Sequence, residues 1–113
     1  MKLNRIFIFL LAAASLGSCS NGTFNTKSEF KVWGNCTMCK KTIENAVDVT
    51  GVMKANWDKD TKMMQVSYDS TLIKLDAMQQ LIAQSGYDTE KYTADQNSYN
   101  GLHECCHYDR KTE

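Results

Sequence analysis

The feature that most constrains this chain is the order in which its hydrophobic period changes between Glu29 and Thr93. Phe30 and Val32 alternate with Glu29, Lys31 and Trp33, a period of two that predicts a short strand. Gly34-Asn35 breaks the alternation, and Cys39, Ile43, Ala46 and Val47 then recur at helical spacing until Gly51. Val52–Trp57 and Met64–Tyr68 alternate on either side of the turn Asp58–Thr61, so the two runs read as a β-hairpin, with Met53, Ala55 and Trp57 on one face. Leu75, Met78 and Ile82 share a second helical face, Leu81 lies beside it, and Gly86 is placed to cap its C-terminus. Tyr87–Thr93 is the candidate for a last strand, although its alternation is weak.

Strand, helix, strand, strand, helix, strand in one short segment predicts an α+β chain of the ferredoxin-like βαββαβ plan. Its expected form is a four-stranded antiparallel sheet with two helices on one face. A chain of 113 residues has room for one such domain. Its 13 Lys+Arg balance 13 Asp+Glu, which removes any general electrostatic reason to coat nucleic acid, and no nucleic-acid partner is expected. The absence of proline excludes proline-rich ligands and a cis-proline active-site loop. Five cysteines leave one over after simple pairing.

The N-terminus explains the odd one. Lys2 and Arg5 precede an apolar run, Ile6 to Leu16, shorter than the about twenty residues that cross a bilayer as a helix. This is the pattern of a secretory signal. Leu16-Gly17-Ser18 followed by Cys19 resembles the lipobox of bacterial lipoproteins; the bland alternative is an ordinary signal with an incidental cysteine. The resemblance implies that residues 1–18 are a cleaved lipoprotein signal peptide and that Cys19 is lipidated, with residues 19–28 as lipidated cysteine and tether. It also implies attachment to a membrane of the bacterial cell envelope through the lipid anchor, facing the periplasm. Ser20 carries no acidic retention signal, which favours the outer membrane. Residues 29–93 then form the domain, and residues 94–113 a polar tail containing cysteine and histidine.

Cys36 falls where the first strand ends, and Cys39 in the first turn of the helix that follows. A helix N-terminus presents unpaired N–H groups and partial positive charge, so thiolates are stabilised there. Lys40 and Lys41 add positive potential. Three readings of the pair compete. Cys39 is a small apolar core residue and Cys36 incidental; the two form a dithiol that cycles through a disulfide; or they hold a soft metal ion. Cu(I) and Hg(II) accept low coordination numbers, whereas Zn(II) prefers four ligands and needs two more.

The run Val32-Trp-Gly-Asn-Cys-Thr-Met-Cys-Lys-Lys-Thr-Ile-Glu-Asn-Ala-Val47, in this element order, resembles the heavy-metal-associated domain. That family includes copper chaperones, periplasmic mercury-binding proteins and N-terminal domains of metal-pumping ATPases. The resemblance implies Cys36 and Cys39 as metal ligands, with Ile43 and Val47 beneath the site and Tyr87 in a loop near the metal. It implies a binding protein rather than an enzyme, acting as chaperone or buffer. The cargo is expected to be Cu(I), with Hg(II) or Zn(II) as alternatives, exchanged by thiolate transfer with a metal-transporting ATPase or another metal-handling protein. The family commonly has Gly-Met before x-Cys-x-x-Cys, the Met packing beneath the loop. Here Gly34 takes the place of that Met, and Met38 lies between the cysteines as a candidate second-shell residue. Asn35 is a weak candidate to hydrogen-bond the loop backbone. The runner-up function is a thiol-disulfide or redox-sensing protein using the same pair.

The other methionines, Met53, Met63, Met64 and Met78, follow strand and helix periods and are expected to pack in the core, as are Trp33 and Trp57. His103-Glu-Cys-Cys-His107 gathers four candidate further ligands, His103, Cys105, Cys106 and His107. Adjacent cysteines rarely bond to each other. Metal binding, a disulfide to Cys36 or Cys39, and no role therefore stay open for this cluster. A stretch such as Ala94–Glu104 reaches roughly 36 Å when extended, enough to retrace a strand and return to the loop.

Overall fold

The computed structural model describes residues 25–112, so residues 1–18, read as a signal peptide, and Cys19 lie outside the described residues. The alternation around Phe30 becomes β1, Asn25–Lys31, which starts inside the stretch read as tether. The hairpin is β2, Val52–Trp57, and β3, Met63–Asp69. The helical periods give α1, Thr37–Ala46, and α2, Leu75–Gln84. β3 is the middle strand in the order β1-β3-β2, with antiparallel pairing on both sides and Met64 opposite both Phe30 and Trp57. A bulge between Val52 and Lys54 takes Met53 out of register. Met53 is therefore 45% exposed instead of sharing the buried face of Trp57, while Met64 and Met78 are in the core as expected.

One face of the sheet carries Phe30, Met64, Val66 and Tyr68, and the helices cover it with Cys39 and Ile43 from α1 and Met78 and Ile82 from α2. Removing a large apolar side chain of this kind from water stabilises the fold by about 1.5–3 kcal/mol.

The sheet has three strands among the described residues, not four, which corrects the expected topology. Tyr87, Asp88 and Thr89 are all buried, so no face of this segment alternates with solvent. It touches the end of β1 through a single bridge, Val32 to Thr89, flanked by Trp33 N–H to Asp88 carbonyl at 2.9 Å and Glu90 N–H to Lys31 carbonyl at 3.1 Å. The chain then reverses: Thr89 N–H donates to the Tyr92 carbonyl, and Tyr92 N–H to the Thr89 hydroxyl. The α+β, ferredoxin-like arrangement survives with its last strand replaced by this turn.

The reason lies in the C-terminal segment, which is no solvated tail. It forms a short helix α3, Gln96–Asn100, capped by the Asp95 carboxylate, and a 3-10 turn at Glu104–Cys106. Asp88 is fully buried, and its carboxylate accepts Arg110 Nε at 2.7 Å, Arg110 Nη2 at 2.8 Å, and the backbone N–H groups of Ala94 and Lys111. The Tyr108 hydroxyl accepts the Asp88 N–H and donates to the Gly86 carbonyl. Its ring stacks on Tyr87 with centroids 5.4 Å apart and meets Tyr99 edge-on at 5.1 Å. Gly86 has φ +106, and a Cβ there would come 2.9 Å from the Ser98 carbonyl, so its lack of a side chain lets α3 close on the end of α2. Because the chain turns back at Thr89–Tyr92, the C-terminal segment has no strand length to retrace before reaching the loop.

Burial acts to raise the Asp88 pKa, but the Arg110 fork and the Ala94 and Lys111 N–H groups outweigh it and hold the carboxyl below its usual 3.8. A depressed carboxylate contributes stability that is present above the unfolded value and lost as pH falls through the folded one. Arg110→Met leaves that buried charge unpaired and is expected to destabilise the protein toward the lower end of about 3–5 kcal/mol, since the arginine is partly exposed. Urea unfolding at pH 7 checks this. Repeating it below pH 4 should show the wild-type advantage shrinking as Asp88 takes up a proton.

Candidate metal centre

Gly34-Asn35-Cys36 leaves β1 and turns into α1, with Cys36 in extended conformation (φ −146, ψ 174) at the N-cap. This puts the Cys36 sulfur at the helix N-terminus and drops Cys39 into the core beneath it. The two sulfurs are 3.3 Å apart. The third member comes from the other end of the chain: the 3-10 turn directs Cys106 inward, 2% exposed, with its sulfur 3.5 Å from that of Cys36. Cys36, Cys39 and Cys106 form a trio whose sulfurs all lie within 4.8 Å of one another. Cys105, one residue earlier, points outward and is exposed.

Of the other expected site residues, Tyr87 stands beside the trio. Its hydroxyl is buried next to the Cys39 and Cys106 thiols, with no partner in normal hydrogen-bond geometry among the described residues. Burial, reinforced by those thiols, pushes its pKa above the ordinary phenol range, so it remains a protonated donor. Met38 is 46% exposed, its sulfur 3.5 Å from that of Cys105, and does not enter the trio. His103 and His107 are exposed and stand outside the sulfur cluster, His107 tilted against Tyr99 at 5.1 Å. Asn35 uses its side chain rather than touching the loop backbone, its amide oxygen accepting the Cys39 S–H at 3.1 Å. Lys40 does not face the thiols: its ammonium binds Asn56 Oδ1, the Trp57 carbonyl and Glu44, tying α1 to β2.

Cys36 and Cys106 are electrostatically unequal. Burial raises the Cys36 pKa. The Cys39 N–H, the thiols of Cys39 and Cys106, and the Met38 N–H together outweigh it and lower Cys36 from 9.0 to about 7. The N–H groups act as the open end of α1, without closing a cap of normal hydrogen-bond geometry. Cys106 moves the opposite way, pushed up by burial and by donating toward the Cys39 and Cys36 sulfurs. Near neutral pH Cys36 is therefore poised to ionise, while Cys106 keeps its proton.

Known proteins share this architecture. The heavy-metal-associated domain matches residues 35–88. A copper chaperone, CopZ, of Staphylococcus haemolyticus is 30% identical over 57 residues, covering 50% of this chain and 84% of that protein. This chain belongs to the heavy-metal-associated domain family. Among solved structures, a CopZ metallochaperone superposes with a TM-score of 0.55 at 27% identity, over 57% of this chain and 98% of its own. A copper-binding domain from HMA7, a P-type ATPase, gives 0.54 at 29%, over 57% of this chain and 89% of its own.

Two further features shape the site. The space beneath the loop is filled by Trp57, fully buried, whose indole N–H donates to the Val32 carbonyl at 2.9 Å. A Cβ on Gly34 would meet that ring at 2.8 and 2.9 Å, so glycine at this position goes with the indole floor. The matched region also ends at Asp88, so Cys106 and the segment that carries it lie outside it.

If Cys106 helps to hold the Cys36 thiolate, alkylation of the reduced apo-protein by iodoacetamide should rise with pH around a midpoint near 7 at Cys36. Cys106→Ala should move that midpoint upward. Mass spectrometry of the Cys36 peptide reads both.

Proposed function

We propose that this protein carries a soft metal ion, Cu(I), on the sulfurs of Cys36, Cys39 and Cys106, and that it catalyses no reaction. The observation that carries the reading is the convergence of three sulfurs within 4.8 Å, one brought from far along the chain. With metal–sulfur bonds of about 2.3 Å, a trigonal centre needs sulfurs about 4.0 Å apart, so small side-chain adjustments suffice. Thiolate ligands favour Cu(I), and Hg(II) is the second choice by the same softness. Zn(II) would need a fourth ligand, and the trio supplies three. Tyr87 adds support: its buried, partnerless hydroxyl gains an acceptor when the neighbouring thiols become metal-bound thiolates.

Transfer proceeds by exchange. A partner thiolate bonds to the ion, and one of the protein's sulfurs leaves and takes up a proton. Cys36, more exposed than Cys39 and Cys106 and with its thiol pKa lowered to about 7, is the member of the trio most open to an exchanging ligand. The relatives named as copper chaperones and as a P-type ATPase domain support a metal-transporting ATPase, or another metal-handling protein, as the partner. A third ligand on a packed segment favours holding over rapid hand-off, so the protein acts as buffer as well as chaperone. The Leu16-Gly17-Ser18-Cys19 sequence supports a lipid anchor in the cell envelope, with the domain facing the periplasm. In that oxidising space the 3.3 Å Cys36–Cys39 approach favours a second reading, a dithiol that closes to a disulfide.

The test is a Cu(I) titration of the reduced protein against a competing chelator. Wild type should bind one equivalent tightly in the trio, and Cys36→Ser or Cys39→Ser should abolish it. Cys106→Ser should weaken it by about 10–100-fold, the scale at which ligand-sphere changes act. No tight uptake by wild type would leave the redox reading standing instead. Full affinity in Cys106→Ser would reduce the site to two thiolates.

A further inference from the structure

Cys105 and Cys106 are neighbours in sequence with opposite fates, because the 3-10 turn sends one sulfur into the core and the other to solvent. The outward sulfur is not alone. It lies 3.5 Å from the thioether of Met38, which stands 46% exposed in the first turn of α1, and 3.8 Å from the Cys106 sulfur. With the 3.5 Å step from Cys106 to Cys36, an unbroken line of sulfurs runs from the surface to the trio. An exposed methionine and an exposed cysteine at van der Waals contact serve no packing purpose, and both are soft ligands of the kind that select Cu(I).

The geometry points to an outer Cu(I) site formed by the Met38 thioether and the Cys105 thiolate, through which the ion passes to Cys106 and the buried trio. This rests on the Cu(I) reading of the trio and extends it. Cys39 and Cys106 are 0% and 2% exposed and Cys36 is only partly exposed, whereas Met38 and Cys105 are open to an incoming partner. Copper stays Cu(I) throughout, and each sulfur leaves only as another binds. The Cys105 thiol loses its proton to water, and it and Met38 bond the ion as the donor's ligands leave. The Cys106 thiol next loses its proton to water and bonds the ion as Met38 releases it. Cys36 then bonds the ion as Cys105 leaves and regains a proton, and Cys39 gives its proton to water as it completes the coordination. Transfer out reverses the order.

The experiment delivers Cu(I) to reduced protein as its bicinchoninate complex, without oxygen, and follows loss of the complex's colour by stopped flow. Wild type is compared with Met38→Leu, Cys105→Ser and the double variant, each also titrated to equilibrium. Both side chains are at the surface, and matching thermal melts confirm that the variants fold. The expected result is an uptake rate lower by on the order of tenfold or more in the double variant, with the affinity for the first equivalent unchanged. An unchanged rate would overturn the outer site, as would an affinity that falls in step with the rate, which would make Cys105 a ligand of the trio itself. Wild type that takes up no Cu(I) would overturn the Cu(I) reading as well, which separates the two failures.

Discussion

The buried carboxylate of Asp88 is the contact on which the rest of the structure depends. It accepts both arms of Arg110 and two backbone N–H groups, leaving no lone pair facing the core without a donor. An ionised group this deep is tolerable only when so fully paired. Satisfying it draws the C-terminal segment against the end of α2, and Tyr108 extends the grip by bridging Asp88 and Gly86. Stacking of Tyr108 on Tyr87 then fixes the ring whose hydroxyl borders the thiols. From Arg110 back to Cys106 is a short, constrained path, so the position of the third sulfur follows from a charge interaction four residues further along the chain.

A two-thiolate loop and a three-thiolate pocket behave differently toward a soft ion. The loop alone offers Cys36 and Cys39 at a helix N-terminus, open to any competing thiol. Adding Cys106 raises the number of bonds an incoming ligand must displace and buries more of the coordination sphere. The family's own region, residues 35–88, provides the first arrangement; the added segment converts it to the second. The indole floor beneath the loop goes with this pocket: Trp57 is rigid and anchored by its N–H, so the loop rests on a surface that yields little.

Much of this was legible in the chain. The alternation of periods located the hairpin and both helices, because those patterns are local, although α1 ends at Ala46 rather than running on to Gly51. Cys36 and Cys39 stood out because two thiols at that spacing after a strand have few other uses. The last strand was misjudged because the fate of Asp88 is decided by a partner 22 residues away, which no local period registers. Cys105, Cys106, His103 and His107 were all visible as ligands, but choosing among them required the direction of a three-residue 3-10 turn. Tyr99, Tyr108 and Arg110 sit in the segment whose sequence reads as a polar tail. Aromatic residues beside an arginine argue for a packed segment, and Arg110 does lie over the Tyr99 ring at 4.7 Å.

Whether the distant cysteine is a ligand decides between a two-sulfur and a three-sulfur centre. X-ray absorption at the copper edge, on reduced protein carrying one equivalent of Cu(I), counts the sulfurs bound to the ion. Three sulfurs in wild type, falling to two in Cys106→Ser, is the predicted result. Two sulfurs in both proteins would contradict it, leaving the Asp88–Arg110 clamp with a structural role alone.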